Sequence, residues 1–146
     1  MQEGDAEGIA ETFAVWHKPR EQYEKYFAEQ QQDRRVVVLA VSRERVVGYV
    51  TVVWDSDYAE FRRQGIPEIV DLNVIDEHQG RGIGRRLIGA AEQIARRRQK
   101  TRIGISVEQS PAYVVPNRLY PQLGFVPDGK GTTAEDNGLH LVKVLE

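Results

Sequence analysis

No cysteine occurs in the 146 residues, which excludes a disulfide framework, a thiolate nucleophile and a thiolate metal site. Histidine is scarce too. His17, His78 and His140 stand at no metal-ligand spacing, so no metal is expected. No serine lies in G-x-S-x-G, since Ser106 follows Gly104-Ile105 without the second glycine, and the serine-hydrolase reading falls with it. There is no run of about 18 apolar residues. The acidic opening Met1-Gln2-Glu3-Gly4-Asp5 lacks the charged-then-apolar form of a signal peptide. Charge of one sign is also missing: 20 basic and 22 acidic side chains leave a net charge of −2, so nothing global calls for nucleic acid or an anionic membrane. The run Arg96-Arg97-Arg98, with Lys100 and Arg102, reads as a solvated helix end complementing the macrodipole. These absences leave the expectation of one soluble, cytoplasmic domain over residues 1–146.

What is present has the order of a mixed α/β (α+β) fold. Ile9, Phe13 and Trp16 stand at helical spacing, and Pro19 opens a second helix carrying Tyr23, Tyr26 and Phe27. The β-branched runs Val36 to Val41 and Val46 to Trp54, parted by polar residues, predict an antiparallel hairpin. A polar loop is expected from Asp55 to Gly65, then a strand from Pro67 to Val74. A helix with Ile83, Leu87, Ala90, Ala91 and Ile94 on one stripe follows, and a strand from Arg102 to Val107 closes the strand–helix–strand unit. Beyond a helix around Asn117 to Leu123 and a short Phe125-Val126 strand, a glycine-rich loop, Pro127 to Gly138, leads to a last strand, Leu139 to Leu145.

Between the third strand and its helix lies Gln79-Gly80-Arg81-Gly82-Ile83-Gly84. Glycines let a backbone approach an anion without Cβ interference, and a helix N-terminus aims unpaired N–H groups at it. Arg81 and Arg85 add charge. The turn reads as a pyrophosphate site. A P-loop is excluded because no lysine follows the glycines, and a dinucleotide fingerprint because Leu87 stands where its third glycine belongs.

In this setting the turn resembles the signature of the GNAT superfamily of acyl-CoA N-acyltransferases, Q/R-x-x-G-x-G/A, with Gln79, Gly82 and Gly84 at the signature positions. A second block, Asn117-Arg118-Leu119-Tyr120-Pro121-Gln122-Leu123-Gly124-Phe125, is similar to the family's LY…LGF segment. The resemblance covers about Val36 to the C-terminus. It implies a twisted, mostly antiparallel sheet of about six strands with a splayed middle pair, flanked by about four helices, and acetyl-CoA as cosubstrate. Leu72, Asn73 and Val74 would hold the pantetheine arm and acetyl carbonyl by their backbone, and Gly80, Arg81, Gly82, Ile83, Gly84 and Arg85 the pyrophosphate. One departure stands out: the strand that usually precedes the first helix is missing. Either it is absent, or the chain is truncated, or another subunit, as in a homodimer, covers the exposed edge.

Transfer to an amine needs a base for the ammonium proton. Glu68 stands eleven residues before Gln79, the offset of the glutamate base in the histone-acetylating branch of the family. Asp71 is the second candidate, although strand alternation sets positions 68 and 71 on opposite faces unless a bulge intervenes. Tyr120 occupies the place of the family's general-acid tyrosine, where a phenol protonates the departing thiolate. Many members carry a cofactor-contacting asparagine seven residues earlier; that position here is Tyr113, and Asn117 is the nearby candidate.

For the acceptor, Trp16, His17, Tyr23, Tyr26, Phe27, Asp55, Asp57, Tyr58 and Glu60 offer an aromatic and acidic cleft for a cationic amine. Two half-buried helices and a solvated loop explain the same residues. The expected activity is N-acetylation of a primary amine on a small molecule or peptide in a ternary complex. The alternative is a non-catalytic CoA-binding sensor or subunit.

Overall fold

The structure, a computed structural model, describes residues 1–2, 20–43, 45–75, 82–108, 120–132 and 138–145. In chain order they form α1 (Arg20–Gln31), β1 (Arg35–Ser42), β2 (Arg45–Val53), α2 (Ala59–Gln64), β3 (Glu68–Val74), α3 (Ile83–Arg97), β4 (Arg102–Glu108), β5 (Val126–Thr132) and β6 (Gly138–Val144). Hydrogen-bonded neighbours run β1-β2-β3-β4-β6-β5 in a six-stranded sheet. β1/β2, β4/β6 and β5/β6 are antiparallel, and β3/β4, joined through α3, is parallel. Among the described residues no strand precedes α1. Contacts group the chain into two compact units, Met1–Val53 with Asp71–Ala91 and Trp54–Val70 with Glu92–Glu146.

The first unit is built on the hairpin. Its β-branched runs pair from Arg35↔Val53 to Ser42↔Arg45, with a register shift between Ala40 and Val41. The α1 side chains Tyr23 and Tyr26 pack with Val37, Val47, Tyr49 and Ile75. Tyr23 meets Tyr49 edge to face at a centroid distance of 5.5 Å. Gly48 allows β3 to come close: a Cβ there would stand 3.0 Å from the Asn73 carbonyl oxygen and 3.3 Å from Val74.

In the second unit, β4 and β6 pair from Arg102↔Val144 to Glu108↔Gly138. Two features differ from expectation. Residues 59–64 of the expected loop form α2, ended by Gly65 at φ 68. Only one apolar side chain anchors this helix, Phe61, so its sequence shows no periodicity, yet burying that ring contributes about 1.5–3 kcal/mol. Residues 126–132 are a strand where a loop was expected after Val126. β6 supplies the pairing that their glycine-rich sequence does not suggest, with a register shift between Pro127 and Thr132.

The expected stripe on α3 is displaced: Leu87, Ile88, Ala91, Glu92 and Ala95 are buried, while Ile83, Ala90 and Ile94 are half-buried. Glu92 is tolerated inside by an ion pair with Lys143. At the end of α3, Arg98 lies 4.1 Å from the Trp54 ring centroid, a packing role beyond the expected solvated one.

Candidate active site

Gln79, Gly80, Arg81 and Asn117, along with Tyr113, Trp16, His17 and His78, lie outside the described residues. The remaining candidates fall into both units.

In the first unit, Gly82 sits at φ 80, and a Cβ there would meet nothing within 4 Å. Its carbonyl accepts the Arg86 N–H at 3.1 Å, which makes Gly82 the cap of α3. The first turn holds no acidic residue, and Arg85 and Arg86 are exposed beside it. Amides without intrahelical partners, a positive dipole end and no competing carboxylate suit a phosphate. Ile83 and Gly84 begin the helix and are half-buried, as are Leu72, Asn73 and Val74 on β3.

Asp71 sits at φ 64. This left-handed residue interrupts the pleat, so plain alternation no longer assigns 68 and 71 to opposite faces. Donors converge on its carboxylate. Oδ2 accepts from Tyr49 at 2.8 Å, Tyr26 at 2.9 Å and Gln22 Nε2 at 3.2 Å, and Oδ1 accepts from Asn73 Nδ2. Since the Tyr49 proton goes to Asp71, Tyr49 accepts from Tyr23 at 3.3 Å and from Asn73 Nδ2 at 2.8 Å. Burial, then the charge of Asp71, pushes the Tyr26 and Tyr49 phenols well above their ordinary value, and burial raises Tyr23 as well. Tyr23 and Tyr26 are thus core and network residues. Phe27 is half-buried.

In the second unit, Glu68 pairs with Gly104 at the start of β3, followed by Ile69 with Ile105. Glu68 is 9% exposed. Its Oε1 accepts from Ser56 Oγ at 2.8 Å and Ser106 Oγ at 3.2 Å, and Ser106 Oγ lies 2.6 Å from His140 Nδ1. Tyr58 stacks on the His140 ring at 3.6 Å and 8°, which places that expected cleft residue against a buried imidazole. Asp55 and Asp57 are exposed, and Glu60 pairs with Arg63 on α2.

Tyr120, also in this unit, is buried, with its ring edge-on to Phe125 at 6.1 Å. Burial raises its phenol above the ordinary value, which keeps it protonated and able to donate. Sequence reasoning missed Ser56, Gln22 and Tyr49 and set Ser106 and His140 aside. For His140 and Ser106 the signal lies in strand register, which no local motif records. Among the described residues no cluster of His, Cys, Asp or Glu could hold a metal ion, and no helix is long and apolar enough to cross a membrane.

Residues 6–125 match the model of the acetyltransferase (GNAT) family, a span that begins well ahead of Val36. No curated protein matches the sequence. Solved structures with the same fold include a GNAT-family protein from Desulfovibrio desulfuricans (TM-score 0.81, 14% identity, covering 99% of this chain and 95% of that one). The aminoglycoside 6'-N-acetyltransferase of Enterococcus faecium superposes with a TM-score of 0.75 at 16% identity, over 100% and 95% of the two chains. The PaiA N-acetyltransferase of Thermoplasma acidophilum, solved with coenzyme A, gives 0.67 at 16% identity, over 95% and 87%. At such identities these likenesses establish the fold, and the family match establishes descent: the chain belongs to the GNAT family of acetyltransferases, which transfer acyl groups from acyl-CoA.

Proposed function

We propose that residues 1–146 form a single N-acetyltransferase domain that moves the acetyl group of acetyl-CoA to a primary amine of a small molecule or peptide by direct attack in a ternary complex. The α3 N-terminus carries this reading, with Gly82 at positive φ as its cap and no acid in its first turn. Bound acetyl-CoA supplies an activated thioester. On the protein side, backbone groups of Leu72, Asn73 and Val74 hold the pantetheine arm and the acetyl carbonyl, and donors fixed in advance stabilise the charge that grows on its oxygen. Gln79, Gly80, Arg81, Gly82, Ile83, Gly84 and Arg85 hold the pyrophosphate, and Asn117 adds a cofactor contact.

Glu68 takes the ammonium proton, so that the amine lone pair can attack the carbonyl carbon. As the carbon–sulfur bond breaks, Tyr120 gives its phenolic proton to sulfur, and the second proton lost by the acylated nitrogen restores the phenol. Asp71 is the second candidate base. Its four donors from Gln22, Tyr26, Tyr49 and Asn73 support a different part, holding β3 in the shape that presents residues 72–74. No metal takes part. The reading places the enzyme in the cytoplasm, and a second copy covering the outer edge of β1 makes it a homodimer.

The test is a panel of primary amines with acetyl-CoA, following release of the CoA thiol; a protein without cysteine adds no background. Amine-dependent release is expected. Binding of acetyl-CoA with no release for any amine would favour the CoA-binding sensor instead.

A further inference from the structure

Around Glu68, the strand register gathers side chains that are distant in sequence. Ser106 and His140 are direct partners in the antiparallel β4/β6 ladder and therefore share one face. Glu68 is the rung partner of Gly104, two residues from Ser106 on the same side of β4. Gly104 carries no side chain there, and the Phe61 ring fills the place a Cβ would take. That ring meets His140 edge-on at 5.8 Å and 79°, while Tyr58 covers the imidazole face. His140 is 2% exposed, so its ring orientation is set by packing.

Counting protons then gives the group a direction. Ser56 Oγ accepts the Tyr58 N–H at 2.9 Å, and its own proton goes to Glu68. Ser106 has one proton for two neighbours. As the base, Glu68 is ionised before the reaction and only accepts, so on that reading the Ser106 proton goes to Glu68 Oε1. The 2.6 Å contact with His140 Nδ1 then requires the imidazole to donate. A neutral imidazole has a single N–H, which this contact assigns to Nδ1.

We infer that Ser106 and His140 are positioning residues for the general base. In a directed chain, His140 Nδ1–H donates to Ser106 and Ser106 O–H donates to Glu68, which fixes the carboxylate's rotation through Oε1. The inference rests on the reading of Glu68 as the base. Convergence of Ser56 and Ser106 on one oxygen is what a catalytic carboxylate needs, because proton transfer falls off steeply with misaligned geometry.

The test combines a spectroscopic with a kinetic readout on the full chain. At about pH 8, above the ordinary imidazole range, nitrogen-15 spectra of the His140 ring should show Nδ1 protonated. Ser106→Ala removes the acceptor and should return the ring to the Nε2–H form. Glu68→Ala should do the same, because the Ser106 proton then turns to Nδ1. In turnover, Ser106→Ala should lose about tenfold in kcat at unchanged KM for acetyl-CoA, and Ser106→Thr, which keeps the hydroxyl, should recover it. An Nε2–H ring in the unaltered protein, or wild-type turnover of Ser106→Ala beside a crippled Glu68→Gln, overturns this inference alone. Wild-type turnover of Glu68→Gln overturns the base assignment, and the positioning role with it.

Discussion

Two carboxylates three residues apart on β3 are held in different ways. Glu68 lies in regular strand at the rung with Gly104, and two aliphatic hydroxyls, from Ser56 and Ser106, reach one of its oxygens. Asp71 sits at φ 64, and Tyr26, Tyr49, Gln22 and Asn73 divide themselves over both of its oxygens. A carboxylate engaged from both sides by side chains of its own unit serves to hold a backbone shape. One aligned by two aliphatic hydroxyls is suited to accepting a proton.

The largest expected effect breaks or confirms that contrast. Glu68→Gln keeps shape and removes the base, so turnover should fall ~10²- to 10⁴-fold with loss of the acidic limb of the pH–rate profile. Rates must be compared at equal free-amine concentration, since an amine already deprotonated at high pH needs no base. Near-wild-type turnover here, together with a crippled Asp71→Asn, would falsify the assignment and hand the role to Asp71. Next in size, Tyr120→Phe keeps the ring and deletes the donor, and turnover should drop ~10²-fold with acetyl-CoA affinity nearly unchanged. An unchanged rate in single-turnover measurements would return Tyr120 to the core.

In the first unit the effects should appear in binding and stability. Gly82→Val forces a β-branched residue to φ 80 and should abolish the rise in Tm that acetyl-CoA gives the unaltered protein. A retained shift would move the pyrophosphate away from α3. Asp71→Asn should reduce turnover less than Glu68→Gln while costing about 1–3 kcal/mol of stability in denaturant unfolding, because an amide cannot accept on both sides. Smallest is the alkaline effect of Tyr49→Phe. A phenol raised above its ordinary 10.0 in the folded protein gives stability that is present below that pH and lost above it. The fall in Tm above about pH 10 should therefore be shallower in the variant. Equal slopes would show that the network ionises without cost.

Much of this was legible in the chain because it is local. The β-branched runs dictate the β1/β2 hairpin, and Gly82 before Ile83 marks where a helix opens. Nothing local marks α2, a six-residue helix with one apolar anchor, or β5, whose residues 126–132 owe their extended form to β6. Positive φ at Asp71 is likewise invisible, since aspartate has no special need for it; the phenols of α1 and β2 hold it there. Ser106 and His140 are 34 residues apart, and only the β4/β6 register makes them neighbours.

The pairing of Gly104 with Phe61 has a consequence for how this sequence can vary. A side chain at position 104 would collide with the Phe61 ring, so Gly104→Ala should be harmful in the present background and better tolerated beside Phe61→Leu. The two positions are epistatic: each defines which substitutions at the other are open to drift. Because the same ring braces His140, a lineage that exchanged this pair would have to find a new support for the imidazole, and mutational routes through position 104 become a record of whether selection keeps the Glu68 site in place.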